Sequence, residues 1–575
     1  MKTIMLLSIL LLFGCASKFG RKVENRFPSK SELVKLKSST TTSTYLEDRT
    51  PGKRVETWKL TGPLPTQIGE STAVASNPFE TLLAQNLGSN PSVNMTDSMN
   101  CAAREIAIFQ SKYNAPPFQS LKRFITSRCG SITPNTNTIT FDGGKATEAQ
   151  ALATLEPQLK QYVDQFSGFS GRVNMGIAFA TSDARSTVII SYEQPSVKIK
   201  PTSINVPSGT FVIEGVIEDK KVPERFAARF TKGEFDTGKC LAQPVDSPAF
   251  KFVCRLDTTD ESAYLQISSQ NKDDLFATYV ARILLFPGLA TTTNAEGVQT
   301  PSLYNVYTPP TTRRILNAST KNIKQNTTLE TVNELINRVR SSAGRPPIEG
   351  HVAQSESIQS LTPVFFESMN DSQKMNKTVL GMMAGWEIND EIVNADFSSN
   401  YVDSEDPAEV IEAFLETPGG RKTLLDKSAS AFGFGTLSKP GSGMGAIFVS
   451  YNFVTNEHSN KRIKRVVAAL NQERKAHGMK PIKENRTTRA RAEGWAKELE
   501  KGALIEDIAQ ELMQAYLDET GKQNVHSYMM LVPNLDDISF DATLVNKRTL
   551  KPSFVVAPYK PLNSPWTFYA IIIAY

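Results

Sequence analysis

LINRVRSSAGRPPI spans residues 335–348, and ALNQERKAHGMKPI spans residues 469–482. Asn337, Arg340, Gly344, Pro347 and Ile348 of the first stretch return in register as Asn471, Arg474, Gly478, Pro481 and Ile482. Val332, Leu335, Ile336 and Val339 recur at i, i+3, i+4 and i+7, as do Ile463, Val466, Val467 and Leu470. That spacing places four apolar side chains on one helix face. A glycine and then a proline just beyond the stripe are stop signals. The chain therefore writes one helix and one exit twice. The question is whether the repeat carries chemistry or only scaffold.

Outward from the pair, each helix opens a segment that runs helices first and strands last. In residues 328–455 a second helix is predicted over Pro407–Thr417, then paired strands in SAFGFGTL and MGAIFVSYNFV. In residues 460–575 the helix IAQELMQAYLDET is followed by SFDATLVN and WTFYAIIIAY, both read as strands. Residues 78–195 follow the same order. They hold an amphipathic helix in MNCAAREIAIFQSKY, another over Thr147–Phe166, and a hairpin turning at Ser182-Asp183. Residues 196–310 differ, with short β-rich runs punctuated by Pro, Gly, Ser and Asp, which predicts a β-sandwich. The expected class is α+β multidomain, consistent with roughly four domains for 575 residues.

The 64 basic and 59 acidic residues leave a formal charge of +5 without a dense basic tract, which argues against nucleic acid as a partner. The four histidines (His351, His458, His477, His526) are scattered and no Cys-x-x-Cys occurs, so no metal site and no cofactor are expected. No Walker loop, Gly-x-Ser-x-Gly elbow or His-Glu-x-x-His helix is present.

The N-terminus, MKTIMLLSILLLFGCASK, has the early lysine and apolar run of a secretory signal over residues 1–15. Leu12-Phe13-Gly14-Cys15 resembles the lipobox of bacterial lipoproteins. That resemblance implies a lipidated Cys15 and a membrane partner through the acyl chains. With Ala16 and Ser17 behind the cysteine, it further implies the outer membrane, on its periplasmic or cell-surface face. The polar stretch 16–77 then reads as a flexible tether. Removing Cys15 leaves Cys101, Cys129, Cys240 and Cys254, which allow three pairings. The local pairs Cys101–Cys129 and Cys240–Cys254 are favoured, because each falls within one segment.

LNQERKAHGMKPI (470–482) is similar to the opening of a CAP-superfamily domain, the fold of cysteine-rich secretory proteins, antigen 5 and pathogenesis-related 1. FLETPGGRKTLLD (414–426), followed by FGFG, resembles the second signature of that family. Gly88-Ser89-Asn90-Pro91 and MGIAFA suggest a fainter copy in 78–195. The resemblance implies tandem α-β-α sandwich domains at 328–455 and 460–575, beside the all-β domain. It also implies a cleft carrying two His and two Glu. Few of those residues carry over. The signature His falls at Gly420, and Glu387 in AGWEIN stands near the place of one Glu. In the last segment His526 and Glu506 stand near the places of the two His. No complete tetrad emerges, and the reading leans away from catalysis. The expected role is binding or adhesion to an unidentified protein or glycan at the envelope. The alternatives are a hydrolase of envelope polymer or peptide built on His526, and a purely structural envelope component.

Overall fold

The computed structural model describes residues 27–38 and 51–575. Within the second span it omits 70–71, 89–91, 167–170, 184, 219–222, 260–261, 272–276, 289–291, 294–298, 301–304, 311–314, 317–327, 369–370, 390, 439–441, 456, 486–487, 523, 536–537, 539, 549, 562–563 and 565. Cys15, Ser89, Asn90 and Pro91 lie outside the described residues.

Helix α1 (Lys30–Ser38) comes first. A first unit follows: α2 (Pro78–Leu87), β1 (Val93–Met95), α3 (Asp97–Tyr113), α4 (Gln119–Arg128), β2 (Asn137–Asp142), α5 (Glu148–Gln165), β3 (Val173–Thr181) and β4 (Ser186–Glu193). Its sheet runs β1-β3-β4-β2, with β1 parallel to β3 and the other pairs antiparallel. Strand alternation sends Ile177 and Ile190 to one face with Leu83, Leu155 and Leu159, while Ala178 and Ile189 face Ile106, Phe109 and Ile125. The result is helix layers on both sides of one sheet.

The β-sandwich comprises β5 (Val197–Ile199), β6 (Asn205–Val206), β7 (Thr210–Ile217), β8 (Pro223–Lys232), β9 (Asp236–Lys239), β10 (Leu241–Ala242), β11 (Ala249–Arg255), β12 (Ala263–Asn271) and β13 (Thr278–Pro287). Its sheets are ordered β10-β11-β7-β5 and β9-β8-β12-β13-β6 around one apolar core.

The second unit repeats the first in outline: α6 (Leu329–Ser342), β14 (Glu349–Gly350), α7 (Val352–Glu367), α8 (Ser372–Met383), β15 (Ile392–Val402), α9 (Pro407–Leu415), α10 (Pro418–Leu425), β16 (Ala429–Ser438) and β17 (Met444–Phe453). Its order, β14-β16-β17-β15 with only β14 parallel, is the strand order of the first unit. Cores again lie on both faces of the sheet.

The third unit holds α11 (Ser459–Ala476), α12 (Arg489–Glu500), α13 (Ile505–Thr520), β18 (Ser527–Val532), α14 (Ala542–Val545), β19 (Ser553–Tyr559) and β20 (Phe568–Ala574). Its order β18-β20-β19 matches β15-β17-β16. Among the described residues the small parallel strand has no counterpart there.

Several expectations change. Residues 16–77 are not a free tether throughout. Leu33 packs into the second unit, where a Cβ at Gly381 would lie 2.4 Å from it, and Lys30 pairs with Glu387. Farther along, Trp58, Leu60 and Ile68 are buried, and Trp58–Lys59 pairs with Val306–Tyr307. A few apolar anchors in polar sequence are enough to dock the segment. Within the stretch read as SFDATLVN, Ala542–Val545 form the short helix α14, because Asp541 accepts from Thr543 N at 2.7 Å and caps it. Strands β18 and β19 close the sheet instead. Asp396–Asn400 lies within β15.

Cys101 bonds to Cys129, joining α3 to the end of α4, and Cys240 bonds to Cys254 on β11. With separations of 28 and 14 residues, each contributes about 3 to 4 kcal/mol in a chain-entropy account.

A buried charge junction ties the first unit, the sandwich and the second unit together. Arg54 Nε lies 2.5 Å from Glu409, and its guanidinium sits 3.5 Å above the Phe118 ring. Arg123 pairs with Glu416, both nearly inaccessible. Burial, then the neighbouring Arg123, pull Arg282 down to about 9, and burial pushes Glu416 up. Ions so enclosed add little net stability, but loss of either partner strands the other.

Candidate functional site

The repeated stretch resolves first. In both copies the asparagine side chain imitates a strand. Asn337 Nδ2 donates to Ile348 O at 2.9 Å, and Ile348 N donates to Asn337 Oδ1 at 2.8 Å. Asn471 makes the same pair with Ile482, at 3.4 and 2.7 Å. The arginines are buried, at 0% and 1% exposure, although no carboxylate ion-pairs with either among the described contacts. Arg340 donates to the carbonyls of Pro346, Leu424 and Asp426 at 2.8, 2.7 and 3.1 Å. Arg474 donates to those of Lys480, Val545 and Lys547 at 3.0, 2.6 and 3.0 Å. Each guanidinium thus ties its own helix exit to the segment that leads into a strand of its sheet, β16 or β19.

The glycines terminate the helices. Gly344 has φ +64° and Gly478 φ +70°, in open space, so only their backbone conformation demands glycine. Arg345 N returns to Arg340 O and Gly344 N to Ser341 O, the paired bonds of a Schellman stop. Met479 and Gly478 repeat them on Arg474 and Lys475. Counting back from Gly88 as from Gly344 places Thr81 and Ala84 where the clamp residues would stand. Gly88 itself is right-handed, at φ −55°, so the first unit has the strand order without this clamp.

The residues singled out as reactive do not meet. His526 and Glu506 are both exposed. His526 exchanges backbone hydrogen bonds with Tyr575 at one end of β20. Glu506 lies near Tyr559, whose hydroxyl is pushed up by burial and secondarily by the Glu506 charge. Tyr559 pairs with Phe568 at the opposite end of β20. Seven residues of strand separate those ends, about 23 Å, beyond any hydrogen bond. Glu387 is engaged by Lys30.

Gly420 is more informative. It lies in the first turn of α10, where its N–H donates to Thr417 Oγ1 at 3.1 Å. A Cβ there would sit 2.0 Å from Phe414 O, so backbone fills the direction a side chain needs. At Gly419 a Cβ would meet Tyr279 Oη of the sandwich at 2.1 Å, and Gly419 N donates to Gln266 Oε1 at 3.2 Å. Arg421 donates to Gly233 O and Asp236 O at 2.8 and 3.1 Å. Gly419 and Arg421 therefore dock the sandwich, while Gly420 packs against the end of α9. Asp396 is bound to Lys422 across the same face. His351 caps α7 by accepting from Gln354 N at 3.2 Å. Among the described residues no three His, Cys, Asp or Glu side chains are grouped to hold a metal ion.

Sequence reasoning missed a cleft of about 500 Å³ between the second and third units. Arg462, Glu500, Pro558 and Lys560 of the third unit line it, opposite Glu391 and Phe453 of the second. The units are fastened beside it. Thr567 N donates to Ile392 O at 2.6 Å, and Thr455 N to Tyr569 Oη at 3.1 Å. Its residues come from six separate segments and share no motif, so no sequence signal gathers them.

No family profile matches the chain, and no curated protein matches it. Several solved chains are similar in part. One is an extracellular protein containing an SCP domain from Bacillus anthracis, 14% identical, covering 45% of this chain and 89% of that one, with a TM-score of 0.18. Another is a cysteine-rich secretory protein from Staphylococcus aureus, 11% identical, covering 45% and 83%, with a TM-score of 0.18.

Proposed function

We propose that this chain is a lipid-anchored protein of the bacterial cell envelope, in which three CAP-like units and a β-sandwich act by binding, not catalysis. The observation that carries the non-catalytic part is Gly420, whose side-chain direction is occupied by the Phe414 carbonyl. The place of the family's histidine is used for packing. The shared strand order of the first and second units supports including residues 78–195 as a CAP-like copy.

Anchoring rests on Cys15 and its lipobox, with Ala16 and Ser17 favouring the outer membrane. Phe27 contacts Trp566 of the third unit, ring centroids 4.6 Å apart. The twelve residues from Cys15 to Phe27 span at most about 43 Å. An anchored Cys15 would therefore hold the third unit close to the bilayer.

Replacing Cys15→Ser in the full-length chain is expected to move the protein from the membrane fraction to the soluble fraction. Retention on membranes would refute lipidation. Incubation of the full chain with isolated envelope polymer, followed by mass spectrometry, is expected to release no fragments. Fragments that disappear with His526→Ala would establish the hydrolase alternative.

A further inference from the structure

The cleft between the second and third units has a buried cation with a spare donor. Arg462 is 5% exposed, and its Nη1 donates to Glu500 Oε1 at 3.0 Å. Its Nε–H is shielded from solvent and has no acceptor among the described residues. Such a group calls for an acceptor that the described residues do not provide. Lys560 and Glu391 are exposed and line the same cleft, with Phe453 and Pro558 supplying apolar wall. A simple anion would meet Arg462 and Lys560 but also two carboxylates, Glu391 and Glu500. A simple cation faces the converse problem. A molecule carrying both charges, separated by a short apolar body, satisfies both sets. The volume of about 500 Å³ falls within the usual range for small-ligand sites at unit boundaries.

We propose that this cleft binds small zwitterions of amino-acid to short-peptide size. The ligand carboxylate is received by Lys560 beside the Arg462 guanidinium, and its ammonium by Glu391. This names a ligand class for the binding role proposed above, but the cleft does not depend on membrane anchoring, and the two fail separately.

The test is titration calorimetry on the full chain with alanyl-alanine, free at both ends, against its N-acetylated, C-amidated form. The free dipeptide is expected to bind in the micromolar to millimolar range, and the capped form about tenfold or more weaker. Lys560→Glu and Glu391→Lys, both at exposed positions, are each expected to weaken the free dipeptide about tenfold. Lys497→Glu, on the exposed face of α12, serves as the control and is expected to change nothing. Equal binding of the capped form overturns the proposal. So does an unchanged affinity in both rim variants, or no heat of binding with the free dipeptide up to about 10 mM.

Discussion

Arg340→Lys is expected to destabilise the second unit by about 3 to 5 kcal/mol, nearly as much as Arg340→Met. The conservative exchange fails for a geometric reason. Arg340 reaches Pro346 O through Nε, Leu424 O through Nη1 and Asp426 O through Nη2, three directions from one plane. An ammonium on a flexible stem is a point donor and cannot span them. The carbonyls left behind are buried and lose their donors, while the new charge is enclosed without compensation. Burial already pulls Arg340 down to about 10, yet it stays charged at neutral pH. Arg338→Lys, two residues away on the same helix, is the contrast. Its partner is the exposed Glu334, so a change within about 0.5 kcal/mol is expected. Urea unfolding of the full chain gives the magnitudes. Hydrogen exchange should show lost protection at residues 424–429 for Arg340→Lys and none for Arg338→Lys. Equal behaviour of the two variants would remove the clamp from the account of the fold.

The clamp also explains what the sequence discloses and what it withholds. The helices of the repeated pair were legible because Val332, Leu335, Ile336 and Val339 are all within 1% of full burial, so burial and periodicity agree. Val467 is only partly buried, and there the second stripe is less regular than its spacing implies. Strands β18 and β19 were harder to read. SYMMLV and SFVVAPY lack clean alternation, since β19 is buried on both faces. The docked N-terminal segment escaped because its composition is polar and its few anchors act through partners hundreds of residues away. The cleft was invisible for the same reason. Asn337 and Arg340 were conspicuous by repetition, but only coordinates show that their partners are backbone atoms, which makes them scaffold.

Gly420→His, which would restore the side chain that the CAP resemblance places there, is expected to cost about 3 kcal/mol or more and to create no activity. A Cβ would start 2.0 Å from Phe414 O and 2.7 Å from Phe414 C. Neither atom can rotate away, because both belong to the backbone at the end of α9. Relief requires shifting α10 against α9, and that shift would pull Gly419 from Gln266 and Arg421 from the sandwich carbonyls. Gly420→Ala should therefore cost nearly as much as Gly420→His, since the clash begins at Cβ. Gly419→Ala is the discriminating control. Its Cβ would meet the tip of Tyr279, a side chain that can swing aside, so a loss of about 1 kcal/mol is expected. Thermal unfolding of the three full-length variants should rank Gly419→Ala well above the other two. If Gly420→His folds like the parent and gains hydrolysis of envelope polymer, then the packing of α10 does not exclude a working histidine at that place.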